Sequence, residues 1–159
     1  MIQINISQQR LYLKNSSGVV ISQYSISSAK NGLGEQHSSE KTPRGKHIIH
    51  QKIGENLPIF TVFRARKPTG EIYSEKLAKQ FPDRDWMLSR ILWLSGIEQG
   101  VNCGAEVDTR SRYIYIHGTA DEENIGKPVS HGCIRMRNDD VMDLFDRVLM
   151  NEMVEIADH

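Results

Sequence analysis

The sequence predicts an α+β domain that is mainly β: a β-sandwich of mixed sheets with one amphipathic helix near its C-terminus. Short runs of period-two alternation, such as Ile2-Gln3-Ile4-Asn5-Ile6, recur between turn signatures. Only residues 138–149 hold a sustained three–four apolar spacing. At 159 residues the chain suits one packed core and is short for two, so residues 1–159 are expected to form a single domain.

Ile2, Ile4 and Ile6 share one face of a half-buried first strand. "RLYLKNSSGVVISQYSI" follows as two strand runs about the turn "KNSSG", a hairpin. Residues 28–46 are rich in Gly, Ser and Lys and read as an exposed loop. The turn Thr42-Pro43-Arg44-Gly45 ends that loop and leads into the strand "KHIIH". Residues 51–85 contain Pro58, Pro68 and Pro82, with a short strand "IFTVFRA" and a helical turn near "SEKLAKQF". "WMLSRILWLSG" fits helix and strand alike by pattern; its shortness and Ser-Gly stop assign it to a strand. In "RYIYIHG", Ile114 and Ile116 fall on one face of a strand, and Tyr113, Tyr115 and His117 on the other. The helix that follows takes Asn138 or Asp139 as its cap, with Asp139 and Asp140 in its first turn. Val141, Leu144, Phe145, Val148 and Leu149 form its core stripe, and "MVEI" closes the domain as a last strand.

Lys+Arg and Asp+Glu both total 20, so no global field draws the chain to nucleic acid or to an anionic membrane. The run "ILWL" is far short of the roughly 20 apolar residues a spanning helix needs. The N-terminus lacks a basic segment followed by an apolar one, the mark of a signal peptide. The chain is therefore expected in the cytoplasm, or in the periplasm or cell wall if a leader has been removed. Cys103 and Cys133 are expected as reduced thiols, and Cys103 reads as a small apolar filler.

The stretch "SHGCIRM" sets Cys133 after a glycine and two residues from His131. A thiol with an unperturbed pKa of about 8.5 needs an imidazole to remove its proton before it serves as a nucleophile. His117 ends a strand, and the loop "GTADEENIGKPV" is short enough to return Cys133 to that strand end. Gly132 permits a sharp turn and close approach, so the amides of Gly132 and Cys133 are candidates for an oxyanion hole. Arg135 is a candidate carboxylate clamp, against the plainer reading of a solvated surface charge. Cys133, His117 and His131 also form a conceivable zinc set, but the carboxylates and supporting partners expected of one are not legible. His47 and His50 fall on opposite strand faces, which argues against a metal pair. Trp86 and Trp93 read as core rather than as sugar platforms.

"HGTADEENIGKPVSHGCIRM" resembles the signature of the L,D-transpeptidase catalytic domain, the penicillin-insensitive cysteine enzymes of peptidoglycan. "QQRLYL", "TPRG" and the terminal "VEI" fit the same family, and the likeness is weakest over residues 51–85. The resemblance implies Cys133 as nucleophile, His117 as base and His131 as a neighbour shaping the thiolate's surroundings. Ser130, Gly132 and Arg135 would complete the motif, and Gly118 would offer its carbonyl to the imidazole. It also implies a cleft under a mobile loop, no cofactor, and acylation of the cysteine by carbapenems. The implied partners are peptidoglycan stem peptides or muropeptides. The expected reaction is thioester-mediated acyl transfer from a tetrapeptide stem: first an L,D-carboxypeptidase removing the terminal D-alanine from muropeptides in recycling, and as the alternative a transpeptidase forming cross-links in the cell-wall compartment. A silent muropeptide-binding module is the reading of another class.

Overall fold

The computed structural model describes residues 1–159. In chain order the elements are β1 (Ile2–Asn5), β2 (Arg10–Lys14), β3 (Val20–Ser27), β4 (Gly45–Ile53), β5 (Thr61–Arg64), β6 (Lys67–Ile72), α1 (Glu75–Gln80), β7 (Met87–Gly96), β8 (Tyr115–Gly118), β9 (Ile134–Met136), α2 (Asn138–Arg147) and β10 (Met153–Ala157). The chain is mainly β, and "WMLSRILWLSG" is a strand. The turn expected near "SEKLAKQF" is α1, capped by Ser74 Oγ accepting from the Leu77 N–H at 3.1 Å.

The expected sandwich is realised as one hydrogen-bonded ring. The strand order β4-β10-β1-β2-β3-β9-β8-β7 closes because β4 also pairs with β7. Closure removes the exposed edges that two open sheets would leave. The sheet is mixed as expected: β1–β10 and β8–β9 are parallel, and the other pairs are antiparallel. β7 is long enough to serve three partners, β8 along one edge and two strands in succession along the other. Its residues 91–96 pair with β4, while Met87 and Leu88 pair with β5, so the β5–β6 hairpin branches off the ring. Ser89, at φ 72°, marks the irregularity between the two pairings.

The ring encloses a core cluster of 19 buried residues, which leaves room for only small satellites. Ile2 and Ile4 from β1, Leu92 and Leu94 from β7, Ile134 and Met136 from β9, and Leu144 and Phe145 from α2 all belong to it. Period-two strand faces and one helical stripe thus converge inward. Two satellites lie at the hairpin end: Val62, Trp86 and Leu88, and Phe63, Ile91 and Tyr115 with Cys133 packed against them.

Three local expectations are corrected. The N-cap of α2 is Arg137, without a side-chain bond, and the first amide is met by Glu122 Oε2 at 2.8 Å. Asn138 is buried, with its side chain committed to the strand end described below. Leu149 leaves the core stripe because α2 ends at Arg147; it stands in the following turn, 74% exposed. Tyr113 and Ile114 precede β8 rather than belong to it, and Tyr113 has φ 57°.

Candidate active site

β8 and β9 run parallel, with Ile116 opposite Ile134 and His117 opposite Arg135. Cys133 stands one residue before β9 and therefore faces Tyr115, whose N–H donates to Sγ at 3.3 Å. Side chains alternate along each strand, so Cys133 and His117 are diagonal neighbours on one face. The thiol donates to the Tyr113 carbonyl at 3.4 Å and makes no hydrogen bond to the imidazole. The backbone of residues 113–115 thus holds the sulfur from both sides.

His117 is buried, and its Nδ1 lies 2.7 Å from the Gly118 carbonyl oxygen. A carbonyl only accepts, so the proton sits on Nδ1 and the Nε2 lone pair is left bare. That is the tautomer a general base requires. A Cβ at position 118 would lie 2.4 Å from Asn138 Oδ1 and 2.6 Å from the Leu88 carbonyl, so only glycine permits this strand end. Asn138 locks it: its Nδ2 donates to the Thr119 carbonyl at 2.8 Å, and its Oδ1 accepts from Ser89 Oγ at 2.6 Å.

The segment before the sulfur is held as tightly. Ser130 Oγ donates to the Cys133 carbonyl at 2.5 Å and accepts from the Gly132 N–H at 3.2 Å. Thr42, the first residue of the "TPRG" turn, accepts from the Ala29 N–H at 3.0 Å and donates to the Gly132 carbonyl at 2.9 Å. Gly132 has φ 137°, a backbone state that favours glycine. Because its amide is spent on Ser130, the expected pair of oxyanion donors narrows to the Cys133 N–H, which makes no hydrogen bond within the protein.

Arg135 differs from the expectation of a solvated or freely clamping charge. Its side chain is 12% exposed and lies 3.6 Å from Asp85 Oδ1, an exposed carboxylate that no sequence pattern singles out. His131 is exposed beside a pocket of about 180 Å³ with His37 and Arg112, close to the sulfur in the chain but bonded to nothing. Burial pushes the Cys133 thiol up to about 11; the Tyr115 N–H, Arg135 and Arg112 pull it down, and Asp85 pushes it further up. Burial also holds His117 down to about 4, against the Gly118 bond and Asp85, which raise it. The resting pair is a neutral thiol beside a neutral imidazole.

A cleft of about 390 Å³ opens next to Tyr113 and Tyr115, walled by Phe63, Arg64 and Arg66 of the hairpin and by Asp85. On the other side of Asp85 and Phe63 lies a second, of about 470 Å³, reaching Glu71 and Arg84. Both cysteines are free, and no group of three or more His, Cys, Asp or Glu side chains is placed to hold a metal ion. Asp85, the Asn138 lock and the role of Thr42 were not read from the sequence. Only Thr42 left a signal, as part of the turn.

The family model described as the L,D-transpeptidase catalytic domain (YkuD) matches residues 1–156. The putative L,D-transpeptidase YqjB of Bacillus subtilis is 50% identical over 50 residues, 31% of this chain and 28% of that protein. The probable L,D-transpeptidase ErfK/SrfK of Escherichia coli is 51% identical over 47 residues, 30% of this chain and 15% of that one. Among solved structures, L,D-transpeptidase 3 from Mycobacterium tuberculosis, in complex with a faropenem-derived adduct, superposes with a TM-score of 0.58 at 15% identity. That match covers 98% of this chain and 58% of the other. An L,D-transpeptidase from Mycobacterium smegmatis gives 0.56 at 16% identity, covering 98% and 57%. At such identities the structural likeness shows the fold, and this chain spans a little over half the length of those solved chains.

Proposed function

Because the chain belongs to the L,D-transpeptidase catalytic domain family, we propose that it performs cysteine-dependent acyl transfer on peptidoglycan tetrapeptide stems. One observation carries this reading: Cys133 and His117 share a face of two adjacent parallel strands, with the imidazole's Nε2 bare. Cys133 Sγ attacks the carbonyl of the diamino acid at position three while its proton passes to His117 Nε2. The oxyanion meets the Cys133 N–H. The C–N bond to the terminal D-alanine breaks, His117 returns the proton to the leaving amine, and a thioester remains. An acceptor then attacks the thioester, His117 takes its proton, and the thiol is regenerated.

Water as acceptor gives a tripeptide, the L,D-carboxypeptidase outcome expected from the sequence. A second reading is favoured by Asp85, an exposed carboxylate bordering both clefts, which suits an incoming ammonium and so a cross-linking amine. Incubation with disaccharide-tetrapeptide, read by mass, tests the reading. Tripeptide or cross-linked dimer supports acyl transfer and names the acceptor. Neither product, with the peptide still bound, leaves a binding module.

A further inference from the structure

We propose that Arg66, at the tip of the β5–β6 hairpin, is a specificity-determining residue that receives a carboxylate of the acyl-donor peptide, with Arg64 as a second cation beside it. The inference rests on the acyl-transfer reading above and assigns part of its substrate recognition.

Arg64 and Lys67 are paired, so Ala65 and Arg66 form a two-residue turn, and both have positive φ, 49° and 66°. Such a turn is ordinarily built from Asn-Gly, because side chains are disfavoured in the left-handed region. A strained backbone at the mouth of a cleft is where a functional constraint is expected. The Arg66 guanidinium lies 4.8 Å from the Trp93 ring centroid and 4.7 Å from that of Tyr113. Its Nη1 donates to the Tyr115 hydroxyl at 2.9 Å. Stacking and this single bond fix the plane of the group, while Nη2 and Nε have no protein acceptor. Neither Arg64 nor Arg66 has a carboxylate partner, whereas Arg135 is already paired with Asp85. The cleft they wall is lined by Tyr113 and Tyr115, whose carbonyl and amide hold Cys133 Sγ. A planar cation, preorganised and without a carboxylate partner, in a cleft lined by the two tyrosines whose backbone holds the sulfur, is suited to a carboxylate of the peptide whose carbonyl is attacked.

The test uses the full chain and stem tetrapeptides whose carboxylates are free, or amidated at the terminal D-alanine and at the diamino acid side chain. Arg66→Gln is expected to raise KM for the free peptide about tenfold or more, the loss of a charge-assisted bond, with kcat changed only a few-fold. Arg66→Lys restores part of the affinity, and Arg64→Gln gives a smaller rise. Amidating the recognised carboxylate should weaken the native protein and leave Arg66→Gln unaffected. An unchanged KM overturns the proposal, as does an equal loss on free and fully amidated peptides, which would make Arg66 only a pin for the hairpin. If Arg66→Gln does not fold, the native protein's response to amidation and Arg66→Lys decide. Absence of turnover by the native protein on every stem peptide refutes the acyl-transfer reading itself, and this inference with it.

Discussion

Alkylation of Cys133 by iodoacetamide as a function of pH reports the resting state of the candidate pair. In a Cys103→Ser background one thiol remains to react. With its thiol pushed up to about 11 by burial, Cys133 carries a thiolate fraction of about 10⁻⁴ at pH 7. An unperturbed thiol carries about 3%. A more basic thiolate is the better nucleophile, and at a Brønsted slope of about 0.4–0.5 this recovers about tenfold. The net expectation is reaction about thirtyfold slower than a free thiol at pH 7. The rate should rise tenfold per pH unit until about pH 11, because each unit frees tenfold more thiolate. Intact-mass spectrometry of timed samples measures it. A rate above that of a free thiol at pH 7, with a plateau reached below that pH, would mean a preformed thiolate–imidazolium pair and would refute the reasoning from burial.

Two further outcomes follow from the same geometry. His47 and His117 are both buried and held down to about 4, against 6.5 when unfolded. The unfolded chain therefore binds more protons between those values. Stability present above pH 6.5 is lost as pH falls through 4, by about 3 kcal/mol per histidine. Urea midpoints at pH 7 and pH 4 measure it, and a His47→Asn variant should lose part of the slope. Thr42→Val leaves the Ala29 amide and the Gly132 carbonyl unpaired in a fully buried place, at a cost of about 2 kcal/mol. It should lower kcat more than it raises KM, since it loosens the segment carrying Cys133; steady-state kinetics beside urea unfolding checks both.

Much of this was legible because it is local. Ile2 and Ile4 alternate toward the core, the "KNSSG" turn joins β2 to β3, and the stripe of α2 buries Val141, Leu144 and Phe145. The motif residues lie together in space: Ser130, Gly132 and Cys133 form one bonded turn, and His117 Nδ1 bonds the carbonyl of the next residue, Gly118. What escaped is non-local. Ring closure depends on β4 meeting β7 across intervening strands, which no periodicity encodes. Arg135 pairs with Asp85, a residue distant in the chain, at 3.6 Å. Asn138 occupies a position that reads as a cap, yet its side chain turns inward because Ser89 and Thr119 present an acceptor-seeking hydroxyl and a bare carbonyl there.

The most direct test is to quench the protein during turnover of a stem tetrapeptide and map adducts by tandem mass spectrometry. A covalent intermediate is expected on the peptide carrying Cys133, with the mass of the substrate less D-alanine, and it should be absent from Cys133→Ala. Undiminished turnover by Cys133→Ala, or an adduct on any other residue, would contradict the account.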